Sequence, residues 1–320
     1  MSYTVMYWNR APEDVYDVIR RELPSGWRLV VPAGDVPAAC RGQLADVDFV
    51  LTAVWPVGEE ELRAAPKLRM VQHQGVGHEH IDKAALERRR IPLALCPAGT
   101  TVGVAEHTIL LILAVYRRLV VADTQLRHGA WLQWALRATS FELAEKTVGL
   151  VGFGRIGQAV AKRLHAFDAR ILYHDPYLEG RPADADAWSA RAVGLDDLLG
   201  ESDVVSLHVP AAPATRRLMG AREFAKMRPS TILINTSRGA VVDEPALVAA
   251  LEARTIAGAG LDVFEEEPAR ADHPLFKLDT VVLTPHIAAG TVDALRQKMR
   301  SVFANYLRFV EGTPIRDRVV

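Results

Sequence analysis

Three side chains suited to anion binding and proton transfer stand at or just after strand ends in the C-terminal half of the chain. They are Arg238 in Asn235-Thr236-Ser237-Arg238-Gly239, Glu267 in Asp262-Val263-Phe264-Glu265-Glu266-Glu267-Pro268, and His286 in Thr284-Pro285-His286-Ile287. An arginine fork can grip a carboxylate bidentately and polarise a neighbouring carbonyl. A histidine titrates near neutrality and can donate a proton, and a carboxylate can orient it. Taken singly, each residue reads more readily as a structural one. Together they suit the reduction of a carbonyl beside a carboxylate, which also requires a source of hydride.

A site for such a source is written 80 residues upstream of Arg238, or slightly more. Gly152-Phe153-Gly154-Arg155-Ile156-Gly157 has G-x-G-x-x-G spacing, follows the apolar run Val148–Val151, and opens a helical pattern at Ile156, Val160, Leu164 and Phe167. In that context Gly152 permits a tight turn, Gly154 lets backbone approach a pyrophosphate, and Gly157 lets helix and strand pack closely. The pyrophosphate would meet free N–H groups and the positive end of a helix dipole. Asp175, directly after Ile171-Leu172-Tyr173-His174, lies where a carboxylate would accept bonds from the adenosine ribose. A carboxylate there repels a 2′-phosphate, and no arginine follows closely, so NAD is favoured over NADP.

The elements that must position these residues follow from short apolar runs alternating with helical patterns, the signature of an α/β chain with parallel sheets. The first series predicts strands at Thr4–Trp8, Arg28–Val31, Phe49–Thr52, Leu68–Gln72 and Ile91–Leu95, with helices at Pro12–Glu22, Glu59–Ala64 and Lys83–Arg89. One long helix is predicted from Val102 to about Val121, followed by a polar, tryptophan-containing stretch to Glu145. The second series predicts strands at Thr147–Val151, Arg170–Tyr173, Val204–Leu207, Thr231–Asn235, Ala257–Leu261 and Val281–Leu283. Helices are predicted at Ile156–Phe167, Glu244–Ala253 and Val292–Phe309. Two doubly wound parallel-sheet units in tandem result.

Bulk properties exclude several classes. With 38 basic and 39 acidic residues, the net charge of −1 carries no nucleic-acid footprint. The longest apolar run, Ile109–Val115, is far short of the roughly 20 residues that span a bilayer, so no membrane partner is expected. Met1–Arg10 lacks a basic segment followed by an apolar one, and Cys40 and Cys96 cannot build a disulfide framework. A soluble, cytoplasmic protein is expected.

These motifs, in this order, resemble the D-isomer-specific 2-hydroxyacid dehydrogenase family along essentially the whole chain. The resemblance runs through Val104-Ala105-Glu106-His107-Thr108, the glycine loop, His208-Val209-Pro210, the N-x-S-R-G turn, the D-V-F-x-x-E-P segment and T-P-H-I. It implies a flavodoxin-like substrate domain (1–101 plus 288–320) and a Rossmann NAD-binding domain (102–287). It further implies that Arg238 binds the carboxylate and carbonyl, His286 donates the proton and Glu267 orients it. Gly75, Val76 and Gly77 would present backbone to the substrate carboxylate. Arg155 and Ile156 would face the pyrophosphate, Val209, Pro210 and Thr215 the adenosine side, and Thr236, Asp262 and His286 the nicotinamide. A homodimer through the cofactor domain, with 102–145 contributing, is implied as well.

The substrate is less sharply indicated. Phosphoglycerate-specific members of the family place arginines in the loop after the third strand, where this chain has Thr52-Ala53-Val54-Trp55-Pro56-Val57. An apolar loop gives a phosphate no charge-assisted donors, although Arg10 could compensate. Phosphite-oxidising members carry lysine where Val76 stands. Glyoxylate, hydroxypyruvate or another small 2-keto acid is expected. The alternatives are a D-3-phosphoglycerate-type dehydrogenase, or an NAD(H)-sensing binding protein on the same fold like the C-terminal binding proteins. His73, His78 and His80, with Glu79 among them, invite a metal reading, but structural zinc sites usually bring cysteine pairs and no metal is expected. Instead the segment resembles the family's G-x-G-x-D-N-I-D loop, with Glu79 and His80 in place of the acidic and amide residues.

Overall fold

Strands covered on both faces need unbroken apolar runs, and the runs above become two parallel sheets. The computed structural model describes residues 2–178 and 187–320. They fall into two compact units, one of residues up to 100 with 290–320, the other of residues 101–289.

In the first unit β1 (Thr4–Trp8), β2 (Arg28–Val30), β3 (Phe49–Thr52), β4 (Met70–His73) and β5 (Leu93–Ala94) pair in the order β2-β1-β3-β4-β5. All four pairings are parallel. The sheet is flanked by α1 (Glu13–Glu22), α2 (Pro37–Cys40), α3 (Glu59–Ala64) and α4 (Lys83–Arg88), whose N-cap Asp82 accepts from Ala85 N. One face buries Trp8, Val50 and Val71, the other Phe49, Leu51 and Met70. The terminal helix of the chain, Val292–Val310, covers the second face through Met299, Val302, Phe303 and Tyr306. Tyr306 stacks on Phe49 at 4.5 Å and donates its hydroxyl to Val50 O.

The second unit opens with α5 (Thr100–Tyr116) and α6 (Leu119–Arg127). Its sheet comprises β6 (Thr147–Val151), β7 (Arg170–His174), β8 (Ala190–Ala192), β9 (Val204–Leu207), β10 (Ile232–Asn235), β11 (Gly258–Leu261) and β12 (Val281–Leu283). The order is β12-β11-β10-β9-β6-β7-β8, parallel throughout. Between them run α7 (Arg155–His165), α8 (Leu195–Glu201), α9 (Ala221–Phe224) and α10 (Glu244–Glu252); the terminal helix Val292–Val310 is α11. The chain reverses its winding direction at β6, which lies between β7 and β9, and such a switch point opens a crevice at the carboxyl ends of the strands.

Three expectations are corrected. The single helix over 102–121 is two, because Arg118 adopts a left-handed conformation (φ +51°) and breaks the rod between α5 and α6. The fourth strand runs later than expected, through the buried polar pair Gln72 and His73. α2, β8, α8 and α9 were not anticipated. No helix among the described residues is long and apolar enough to cross a membrane.

Candidate active site

The glycine loop joins β6 to α7. Gly152 has φ +93°, and a Cβ there would lie 2.6 Å from His208 O. At Gly157 a Cβ would lie 2.4 Å from Gly152 O, so only glycine lets α7 start this close to the strand. A Cβ at Gly154 would instead project into open space. The N–H groups of Gly154, Arg155 and Ile156 donate to no group among the described residues. Room for a diphosphate and unspent donors at a helix N-terminus therefore coincide.

Asp175 directly follows β7, beside this turn. Its Oδ2 accepts from Phe153 N at 2.9 Å and its Oδ1 from Tyr177 N at 3.0 Å, so loop backbone orients the carboxylate. Val209 lies against the same turn, 2.9 Å from where a Gly152 Cβ would stand. After the exposed Pro210, Thr215 closes the following loop by donating to Pro210 O and accepting from Ala212 N. These groups fit a dinucleotide with free ribose hydroxyls.

At the end of β10, Asn235 builds the turn that presents Arg238. Its Oδ1 accepts from both Ser237 N and Ser237 Oγ, and its Nδ2 donates to Arg238 O. The Arg238 guanidinium makes one bond, from Nη1 to Ser237 O, and the remaining donors are unspent among the described residues. Thr236 is buried, its hydroxyl paired with that of Thr108 on α5 at 2.9 Å.

His286 follows β12 and has φ +54°, a left-handed conformation uncommon for a residue with a side chain. Asp262, at the end of β11, imposes it. His286 N donates to Asp262 O, Ile287 N to Asp262 Oδ1 and Ala288 N to Asp262 Oδ2, each within 2.9 Å. The Thr284 hydroxyl donates to Oδ1 as well and accepts from His107 Nε2 at 2.9 Å. Such over-determination is what lets a strained backbone persist. Asp262 is fully buried, and both its oxygens are spent on the histidine segment.

His286 Nδ1 lies 2.6 Å from Glu267 Oε2, while Glu267 Oε1 accepts from Phe264 N. Burial alone would raise the Glu267 pKa. The His286 bond, the Phe264 N–H and the Arg238 charge outweigh it and hold this carboxyl below the usual range. An ionised Glu267 facing Nδ1 fixes the imidazole, and the other nitrogen, Nε2, has no partner among the described residues. The structure thus brings Arg238, Glu267 and His286 into one electrostatic neighbourhood.

In the first unit, Gly75 N donates to His73 Nδ1 and Gly75 O accepts from Cys96 N. The N–H groups of Val76 and Gly77 have no acceptor among the described residues. Arg10 pairs with Asp35 at 3.0 Å. Among the described residues no three His, Cys, Asp or Glu side chains converge as metal ligands.

Asn235, Thr108, His107 and Thr284 were missed as supports. Only Asn235 left a local signal, an amide two residues before a serine in a turn.

A parallel sheet with this glycine loop at its switch point, and a carboxylate-oriented histidine nearby, defines a nicotinamide-dependent dehydrogenase. A family model described as D-isomer specific 2-hydroxyacid dehydrogenase, NAD binding domain, matches residues 109–288. The glyoxylate reductase of Thermofilum pendens is 46% identical over 260 residues, 78% of this chain and 74% of that protein. The D-3-phosphoglycerate dehydrogenase of Archaeoglobus fulgidus is 38% identical over 271 residues, and the match spans 85% of this chain and 51% of that longer protein. Among solved structures, the TT0316 protein of Thermus thermophilus superposes with a TM-score of 0.87 at 33% identity, over 99% of this chain and all of that one. The chain belongs to the D-isomer specific 2-hydroxyacid dehydrogenase family. It is an NAD-dependent oxidoreductase of 2-hydroxy and 2-keto acids.

Proposed function

We propose that the protein interconverts a small, non-phosphorylated 2-keto acid, of the glyoxylate or hydroxypyruvate type, with its D-2-hydroxy acid. The observation that carries this reading is the 2.6 Å bond between His286 Nδ1 and Glu267 Oε2, which leaves Nε2 free to deliver a proton. Bound NADH supplies the hydride for the keto carbon. Arg238 holds the substrate carboxylate and polarises the carbonyl with its unspent donors. His286 Nε2 gives its proton to the carbonyl oxygen as negative charge develops there, and Glu267 stabilises the imidazolium that holds this proton before the transfer. In the opposite direction the same nitrogen takes the proton back.

The first unit acts as substrate domain (1–101 plus 288–320) and the second as cofactor domain (102–287). Val76 and Gly77 N–H groups hold the carboxylate from the substrate domain. Arg155 and Ile156 face the pyrophosphate, Asp175 the ribose, Val209, Pro210 and Thr215 the adenosine, and Thr236 and His286 the nicotinamide, while Asp262, expected there too, is fully buried and supports the His286 segment instead. Two observations support a substrate without phosphate. Val54 in the loop after β3 is exposed and apolar, and Arg10, the cation expected to compensate, pairs with Asp35 at 3.0 Å. The exposed Leu119, Val120, Leu126, Trp131 and Trp134 form an apolar stretch of the kind that a homodimer through the cofactor domain would cover. Two unpaired buried cysteines suit a reducing cytoplasm.

The test is NADH oxidation with glyoxylate, hydroxypyruvate, pyruvate and 3-phosphohydroxypyruvate. Highest kcat/KM on one of the first three supports the proposal. Highest kcat/KM on the phosphorylated acid overturns its substrate class, and NADH binding with turnover of none overturns the enzymatic roles in favour of a sensor.

A further inference from the structure

We infer that His73 is a positioning residue for the substrate carboxylate, its neutral imidazole holding the loop that presents the Val76 and Gly77 N–H groups. The inference rests on the proposed role of that loop.

His73 is the last residue of β4 and is buried. Its Nδ1 accepts the Gly75 N–H at 2.9 Å. An acceptor at Nδ1 puts the single proton of a neutral ring on Nε2, which lies 2.9 Å from Ala53 O and donates to it. One ring therefore ties the loop after β4 to the loop after β3. The approach is close: a Cβ on Gly75 would lie 3.0 Å from His73 Cε1.

With Gly75 O also bonded, to Cys96 N at 2.9 Å, both polar groups of this peptide position are occupied. The chain then has little freedom in how it enters Val76, and the next two N–H groups are left without acceptors among the described residues. Adjacent unspent N–H groups are what a carboxylate oxygen takes.

The ring must be neutral for this to hold, since a proton on Nδ1 would face the Gly75 N–H donor to donor. Its surroundings favour the neutral form. Burial lowers the His73 pKa, and the neighbouring His80 ring packs against it with centroids 5.1 Å apart. His80 Nε2 is itself buried without a hydrogen-bond partner among the described residues, and burial lowers its pKa too.

Two substitutions separate the two bonds. His73→Asn places a carbonyl oxygen near the Nδ1 position and keeps an acceptor for Gly75 N–H while losing the bond to Ala53. His73→Gln keeps a donor near the Nε2 position and loses that acceptor. In the full-length protein, KM for glyoxylate, kcat, the NADH dissociation constant and inhibition by oxamate, an unreactive carboxylate analogue, are measured for all three forms. His73→Gln should raise the glyoxylate KM and the oxamate inhibition constant about tenfold, the cost of one hydrogen bond to the site. Its kcat and NADH affinity should stay within about twofold, because uniform binding is lost and chemistry is not. His73→Asn should restore the KM to within about threefold of the parent.

An unchanged KM in His73→Gln overturns the inference, as does an equal rise in both variants or a loss shared by NADH affinity. Those results leave the enzymatic reading standing. A parent protein that reduces no 2-keto acid overturns the enzymatic reading itself.

Discussion

A Cβ on Gly239 would lie 1.9 Å from the carbonyl oxygen of Phe264, so the turn carrying Arg238 and the segment carrying Glu267 are in direct backbone contact. The two segments that carry the guanidinium and the carboxylate are thus held side by side by main chain. Gly239→Ala forces the two segments apart, and overpacking of this kind costs about 1–3 kcal/mol. The expected outcome is a lowered Tm together with a fall in kcat/KM for the keto acid at temperatures where the variant is still folded. A parent-like Tm and kcat/KM would show that the contact has no such role.

The glycine loop itself orients the Asp175 carboxylate, by way of Phe153 N, and on the proposed reading this carboxylate binds the cofactor ribose. Asp175→Ala removes both the ribose acceptor and the repulsion of a 2′-phosphate, so the preference for NAD over NADP should narrow by about tenfold or more, the worth of one charge-assisted bond. The ratio of kcat/KM for NADH and NADPH measures it, and an unaltered ratio places ribose recognition elsewhere.

His208, behind the glycine loop, bonds Ser206 Oγ through Nε2, and loss of hydration pushes its pKa down to about 4. The unfolded chain should hold this proton up to a pH of about 6.5. Between those values the unfolded state binds more protons than the folded one, so stability is fully present above the upper value and is lost as pH falls toward the lower. His208→Gln, which retains a polar partner for Ser206, should therefore show a smaller drop in Tm than the parent between pH 6.5 and 4.5. Parallel Tm curves for the two proteins would assign the acid sensitivity to other groups.

Legibility in the sequence followed burial. Strands such as Phe49–Thr52 and Val204–Leu207 are buried along their length and read directly as apolar runs. β4 slid in the reading because its last residue, His73, is polar yet buried, bonded to Ala53 O within the first unit. Ala190–Ala192 is an edge strand with little apolar content, and such a strand carries no alternation to read. The break between α5 and α6 falls on Arg118, a residue type with no preference for the left-handed region, and Leu119, Val120 and Val121 continue the apolar pattern across it. In the candidate site, residues that present a free polar group, Arg238 and His286, stood out by type and by motif. The supports did not. Asp262 holds the His286 segment through contacts between residues some 25 positions apart, and Gly239 matters because of a backbone it meets only after folding.

The proton-donor role of His286 is tested most directly by His286→Asn, with single-turnover NADH oxidation on glyoxylate measured beside the NADH dissociation constant. The account predicts a loss of about 10²–10⁴ in rate with NADH affinity nearly unchanged, the usual contribution of a positioned acid. A rate within about threefold of the parent, at equal NADH affinity, would contradict it.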